Sequence, residues 1–298
     1  MSNQHEHHHL TKNISLRLGA VLVLNLVITA VELVGGIISG SLALISDALH
    51  NFSDATAVGI SYMSIKIGER TRDLERTFGY RRAEIIGAVI NSTVLLVIVA
   101  YLFYEAYRRF LTPSPIRGGV MFTVALVGLA ANSFAVVLLH TERGKSLNIR
   151  AAYLHLLADA ISSLGVIAAG LMIYFYGIYW LDPLLTVVIA LYVAWEALDI
   201  LREATNVVMQ GTPPELELEE IKQRLIALEK VLDVHHTHLW SLTTRDAFFE
   251  AHVKVEDMPI SESEKITRKI ESILAEEFDI NHVTLQYEHN SCEEDKLL

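Results

Sequence analysis

Six apolar stretches, each long enough to cross a hydrocarbon layer that needs roughly 20 residues of helix, dominate the first two thirds of the chain. They run from about Leu16 to Ile38, Leu42 to Ile65, Ala83 to Phe110, Gly118 to Leu139, Ala151 to Tyr176 and Pro183 to Val208. Turn residues and charge punctuate them at Gly40-Ser41, Gly68 to Arg82, Pro113-Ser114-Pro115, Thr141 to Arg150 and Gly177 to Pro183. With 52% hydrophobic residues and a mean hydropathy of +0.36 over 298 residues, the chain is too apolar for an ordinary soluble domain, and an α-helical membrane bundle of six transmembrane helices is predicted. The opening MSNQHEHHHL has no charged n-region, apolar core or cleavage site, so the first helix is expected to stay.

Other classes fall away on composition. A net charge of −11 offers no basic footprint for nucleic acid. The single cysteine, Cys292, excludes an internal disulfide framework and any Cys-rich zinc finger. No Gly-rich phosphate loop, nucleophile elbow or His-Glu-x-x-His is present, so no enzymatic activity is expected.

Lys and Arg placement sets the orientation, because basic loops stay in the cytoplasm. With the amino terminus inside, Lys12, Arg17, Lys66, Arg70, Arg72, Arg76, Arg81, Arg82, Arg143, Lys145, Arg150 and Arg202 are cytoplasmic, and only Arg108, Arg109 and Arg117 lie outside. Both termini are then cytoplasmic, and compact loops suggest a bacterial inner membrane. After Gly211-Thr212-Pro213-Pro214 the composition turns soluble: a helix within Glu215 to Leu228, strands at Val234 to Leu242 and Ala247 to Val255, a helix from Ser261 to Phe278, and a strand at His282 to Glu288. This order predicts a cytoplasmic α+β (αββαβ) domain. The expected division is a His-rich tail at 1–13, the membrane domain at 14–209, the cytoplasmic domain at 210–290 and a tail at 291–298.

Within the apolar stretches, His50 and Asp54 stand four apart, as do His155 and Asp159 in LHLLADAISS. That spacing puts both side chains of a pair on one helix face, about 6 Å apart along the axis. Ionisable groups inside a span signal function. Two facing helices would bring two imidazoles and two carboxylates to one point, the donor set of tetrahedral Zn²⁺ rather than of Mg²⁺ or Ca²⁺, which prefer oxygen alone. Asp47, one turn before His50, reads either as an outer partner or as a residue near water at the helix end. Asn25, Thr29 and Glu32 form a polar stripe on the first span, with Glu32 open to a role along an ion path. Neutral imidazole binds Zn²⁺ and imidazolium does not, so loading expels protons. With ordinary pKa values of about 6.5 for His and 3.9 for Asp, the histidines couple metal to protons, which predicts exchange around a midplane site.

SLALISDALHNFSDA, TFGYRRAEIIGAVIN, LHLLADAISSLGV and VHHTHLWSLT closely resemble the cation diffusion facilitator family of zinc and heavy-metal transporters, over nearly the whole chain. The resemblance implies six helices with a cytoplasmic metallochaperone-like domain, a homodimer, and export of a divalent cation from the cytoplasm in exchange for protons. It places transport ligands on His50, Asp54, His155 and Asp159, and the histidine at position 50 implies a preference for Zn²⁺ over Cd²⁺. It also implies cytoplasmic ligands at His235, His252 and Glu288, with His282 one residue from the corresponding position. Zn²⁺ is then expected as the cargo and, by drawing two subunits together and biasing the membrane halves, as a regulatory ligand. Strand alternation puts His252 on the polar side, opposite Phe249, Ala251, Val253 and Val255. His236, His238 and Trp240 are expected on the other side of their strand, as packing or dimer contacts.

The chain departs from some relatives in that GERTRDLERTFGYRR contains no histidine. Asp73 alone makes a poor site, so no metal centre is predicted there. His5, His7, His8 and His9 read as dispensable scavengers, and Cys292 as either a further ligand or a free thiol. Two alternatives stay open: a different divalent substrate, Co²⁺, Ni²⁺, Cd²⁺ or Fe²⁺, and a membrane-anchored metal sensor without flux, which would have no need of ligands inside the spans.

Overall fold

The computed structural model describes residues 23–68, 73–140, 147–244 and 246–289. The four amino-terminal histidines, both expected tails and Cys292 lie outside the described residues. Six helices come first: α1 (Val23–Ser39), α2 (Leu42–Gly68), α3 (Ala83–Leu111), α4 (Gly118–His140), α5 (Leu147–Tyr176) and α6 (Leu181–Val208). Four of them, α3, α4, the Tyr153–Tyr176 part of α5, and α6, are long and apolar enough to cross a membrane. The 27 residues of α2 supply the length, but its Ser, Asp, His and Asn side chains hold its hydropathy down. α1 is short as described. By length and composition the described residues therefore give four spans where the sequence predicts six.

The chain falls into two compact units. One holds the described residues up to Gly59 with Ile90–Asp199; the other holds Ile60–Val89 and the residues from Ile200 onward. In the first unit, Ala43 and Leu44 of α2, Met121 and Ala125 of α4, and Val166, Ala169 and Ile173 of α5 form one buried cluster. Small residues let backbones approach. A Cβ on Gly118 would fall 2.6 Å from the Tyr174 nitrogen and 2.8 Å from the Gly170 oxygen, so the α4–α5 contact requires glycine at position 118. α3 meets α6 through Leu95, Val99, Ala190, Val193 and Ala197.

The start of α2 is fixed from outside itself. A helix leaves its first N–H groups without partners, and here fully buried Asp182 of α6 accepts from Leu42 N at 2.9 Å, Ala43 N at 3.2 Å and Ser41 Oγ at 2.5 Å. Arg109 Nη1 lies 3.7 Å from Asp182 Oδ2 and donates to the Gly40 carbonyl. Gly40 has φ +75°, the left-handed conformation that reverses the chain between α1 and α2.

The second unit contains α7 (Leu218–Ile226), β1 (Val231–Ser241), β2 (Ala247–Val255), α8 (Ile260–Phe278) and β3 (Ile280–Glu288), the order αββαβ. The sheet runs β1-β2-β3, with β1 and β2 antiparallel and β2 and β3 parallel. Ile221 and Leu225 of α7, and Ile266, Ile270 and Leu274 of α8, pack on Val234, Phe249, Ala251 and Val253. A β-bulge interrupts β1 between His235 and His238, where His236 takes φ +48°. The bulge inserts an extra residue and re-aims the side chains around it.

Candidate metal centres

In the first unit the two His-x-x-x-Asp pairs meet. His155 Nε2 of α5 lies 3.1 Å from Asp54 Oδ2 of α2. His50 Nε2 lies 3.5 Å from the same oxygen, and Asp159 Oδ2 lies 3.6 Å from His155 Nε2. Bonds of 2.0–2.2 Å at tetrahedral angles put ligand atoms about 3.4 Å apart, which is the spacing seen. Donor atoms of His50, Asp54 and His155 lie within 4.8 Å of one another, with Asp159 joined through His155. His50 Nε2 and Asp159 Oδ2 are buried without a hydrogen-bond partner, an arrangement that a folded chain rarely tolerates and that coordination to a cation relieves.

Around this group further polar residues find partners. Asp47 is buried, accepts from Ser162 Oγ at 3.4 Å, and lines with His50, Asp159 and Tyr192 a cavity of about 260 Å³. Asp47 therefore sits in the wall beside the centre. Buried Glu32 accepts from Asn51 Nδ2 at 3.1 Å. Glycine at 128 makes room for it, since a Cβ there would meet Glu32 Oε1 at 2.6 Å. Thr29 Oγ1 donates to the Asn25 carbonyl within its own helix.

Sequence reasoning passed over α6. Its Glu196 Oε2 lies 3.7 Å from His50 Nδ1, and Tyr192 OH donates to Glu196 Oε1 at 3.0 Å. The signal was available, because Glu196 is a carboxylate inside a predicted span, four residues after a tyrosine.

The second unit gathers a second group from three strands. His252 Nδ1 lies 2.6 Å from Glu288 Oε1, and His235 Nε2 lies 3.5 Å from Glu288 Oε2. Donor atoms of His235, His252 and Glu288 lie within 4.8 Å of one another. Both ring nitrogens of His235, which is 1% exposed, are buried without a hydrogen-bond partner. Asp233, which the sequence did not single out, places Oδ2 3.2 Å from His235 Nδ1, and Lys222 sits 3.2 Å from its other oxygen.

Two sequence expectations are corrected here. His282 is not part of this group: β3 advances roughly 3.3 Å per residue, which puts it some 20 Å along the strand from Glu288. Its ring packs instead 4.3 Å from Phe248 and 6.1 Å from Phe78, centroid to centroid. His236 does not face away from the group, because the bulge swings its ring to 4.9 Å from that of His252. Trp240 stacks on Phe248 at 4.5 Å, with Arg82 5.8 Å above its ring. Asp73, outside the spans, accepts from Arg76 N at 2.6 Å and Glu75 N at 3.0 Å. The Arg76 amide above all, with Tyr80 OH, holds its carboxyl below the usual range.

Comparison with known proteins divides the chain near residue 210. The chain matches the family description "Cation efflux transmembrane domain" over residues 18–209 and "Cation efflux protein, cytoplasmic domain" over residues 213–290. It is 38% identical over 263 residues to the metal cation efflux system protein CzcD of Cupriavidus metallidurans, covering 88% of this chain and 83% of that one. It is 33% identical over 293 residues to the zinc transporter ZitB of Pectobacterium atrosepticum, covering 98% and 91%. With the cadmium, cobalt and zinc/H(+)-K(+) antiporter of Bacillus subtilis the identity is 35% over 271 residues, covering 90% and 87%. The match to the transmembrane domain and the four long apolar helices make the chain an integral membrane protein. It belongs to the cation diffusion facilitator family of cation efflux proteins.

Proposed function

We propose that the protein is a secondary transporter that exports divalent cations, Zn²⁺ foremost, from the cytoplasm in exchange for protons. The observation that carries this reading is the convergence of His50 and Asp54 with His155 and Asp159, from two helices, inside apolar helical segments. Two imidazoles with two carboxylates suit Zn²⁺, and a site of this make-up inside a span serves passage rather than sensing. His50 and His155 bind the cation when neutral and release it when protonated, which ties loading to proton release. The names of the relatives, a zinc transporter and a cadmium, cobalt and zinc/H(+)-K(+) antiporter, support metal efflux and leave Cd²⁺ and Co²⁺ as competing cargoes. The family is one of transporters, so no catalytic residues are assigned.

In this reading 14–209 forms six spans, 210–290 a metallochaperone-like cytoplasmic domain in a homodimer, and both termini face the cytoplasm of a bacterial inner membrane. His235, His252 and Glu288 hold a regulatory Zn²⁺, with Asp233 behind His235. The test is Zn²⁺ movement into proteoliposomes under an imposed pH gradient, wild type against Asp159→Ala, with Co²⁺ and Cd²⁺ alongside. Gradient-driven Zn²⁺ flux lost in the variant is expected. Binding without flux in correctly oriented protein would instead identify a sensor.

A further inference from the structure

Helix α6 supplies none of the four ligands proposed above, yet it carries a carboxylate about halfway along its apolar length. Such a group is costly in a span and is kept where it has a task. Glu196 approaches His50 from the side away from the ligand cluster. Its Oε2 is 3.7 Å from Nδ1 of the ring, whereas Nε2 on the opposite side faces Asp54 Oδ2 at 3.5 Å. One turn earlier, Tyr192 fixes the carboxylate by donating its hydroxyl to Oε1 at 3.0 Å. Its ring stands edge-on to the His50 ring, at 5.6 Å between centroids and 75°. Helix α6 thus holds His50 by a carboxylate and an aromatic edge, one turn apart.

An imidazole that binds a metal through one nitrogen carries its hydrogen on the other, and a carboxylate accepting that hydrogen fixes both tautomer and ring orientation. We propose that Glu196 is a positioning residue for the membrane centre, accepting the Nδ1–H of His50 so that Nε2 points at the transported cation, with Tyr192 holding the carboxylate in place. A hydrogen bond of 2.7–3.2 Å needs closure by about half an ångström. The Glu196 side chain, 32% exposed, has the freedom to supply it. Glu196 is not itself a ligand, because it faces the wrong nitrogen and lies outside the group whose donor atoms converge. The inference rests on His50 being a ligand of the cation.

The test is the Zn²⁺ concentration dependence of flux in proteoliposomes for Glu196→Leu, Glu196→Gln, Tyr192→Phe and, as a control, His50→Ala. Losing a partner behind a metal ligand costs about 10–100-fold in affinity or activity. Glu196→Leu is therefore expected to raise KM by that factor, and Tyr192→Phe by a few-fold. Glu196→Gln should stay close to wild type, since its amide oxygen still accepts from His50 and its NH₂ group reaches the Tyr192 oxygen. A wild-type KM in Glu196→Leu overturns the inference. Equal impairment of the Gln and Leu variants also overturns it, by showing that the charge of Glu196 acts as a ligand or proton carrier. Should the Leu variant fail to fold, a raised KM in Tyr192→Phe with a preserved Gln variant supports the inference, and an unchanged Tyr192→Phe sinks it. If His50→Ala transports like wild type, it is the reading of the membrane site that fails.

Discussion

In α2 an imidazole and a carboxylate come from a single helical turn, and α5 repeats the device with the same residues. In the cytoplasmic unit a comparable donor set needs three strands, an antiparallel register, a parallel register and a bulge before His235, His252 and Glu288 meet. The helical site depends on spacing four in the chain and on one packing contact. The strand site depends on long-range pairing, where a slip of one residue turns a side chain to the other face. A site built from local geometry tolerates movement between its two helices, which suits a centre that must load and unload. A site clamped across a sheet opens only if the sheet opens, which suits a metal that stays.

That contrast breaks most directly at the proposed ligands. Asp54 Oδ2 lies against both imidazoles, so Asp54→Ala is expected to reduce Zn²⁺ flux by more than about 100-fold, beyond the 10–100-fold typical of outer partners. His252→Ala should leave flux measurable while removing one equivalent of tightly bound Zn²⁺ from the purified full chain. Proteoliposome flux and equilibrium dialysis on the same preparations decide it. Loss of flux in His252→Ala as complete as in Asp54→Ala would erase the distinction between passing and resident metal.

Thermal unfolding sharpens it next. A ligand present at 100 times its Kd adds about 2.7 kcal/mol to the state it binds. Zn²⁺ should therefore raise the unfolding temperature of the cytoplasmic unit in the wild type, and not in Glu288→Ala, whose buried His235 has lost the carboxylate facing Nε2. Without metal the same variant is expected to be less stable by about 1–3 kcal/mol, because His252 Nδ1, 2.6 Å from Glu288 Oε1, loses its carboxylate.

On the membrane side, the placement of His50 and Asp54 follows from where α2 begins, and Asp182 sets that point. Asp182→Ala leaves the first amides of α2 without their carboxylate. Loss of a cap costs about 0.5–2 kcal/mol, to be read as a lower unfolding temperature in detergent. Flux should persist at a reduced level, because the proposed ligands themselves remain.

The helical pairs were legible because period and chemistry coincide: His50 and Asp54 share a face on any helix. The order αββαβ was legible too, from alternation in Ala247–Val255 and the apolar stripe of Ile266, Ile270 and Leu274. Registry between strands was not. The family resemblance puts His282 one residue from a ligand position, and only the pairing of His282 with Phe248 shows that it belongs to an aromatic cluster. The φ of +48° at His236 that turns its ring toward His252 has no marker in the sequence, since histidine is not a residue that announces a bulge. Asp182 and Glu196 escaped for another reason. Each acts on a helix more than a hundred positions earlier in the chain, and nothing in its immediate neighbours says so.

The smallest expected effect tests whether surface charge matters to either region. Arg224 of α7 donates twice to Glu277 Oε1 and once to Oε2 of α8, at 2.6, 3.1 and 2.8 Å, and this contact holds the Glu277 carboxyl below its ordinary value of 4.5. A carboxylate whose folded pKa is depressed stabilises the fold fully above its unfolded pKa, and the contribution fades as pH falls through the folded value. The wild-type advantage over Glu277→Gln should thus be full at pH 7 and shrink as pH falls below the ordinary glutamate value of about 4.3. Both groups are solvent-exposed, so the difference in unfolding temperature should be slight and shrink further at 1 M salt, where charges are screened within about 3 Å. Zn²⁺ flux should be the same in both proteins at pH 7. A flux difference would mean that the contact between α7 and α8 reaches the transport cycle, and the division between a passing and a resident metal would then have to include the helices behind the sheet.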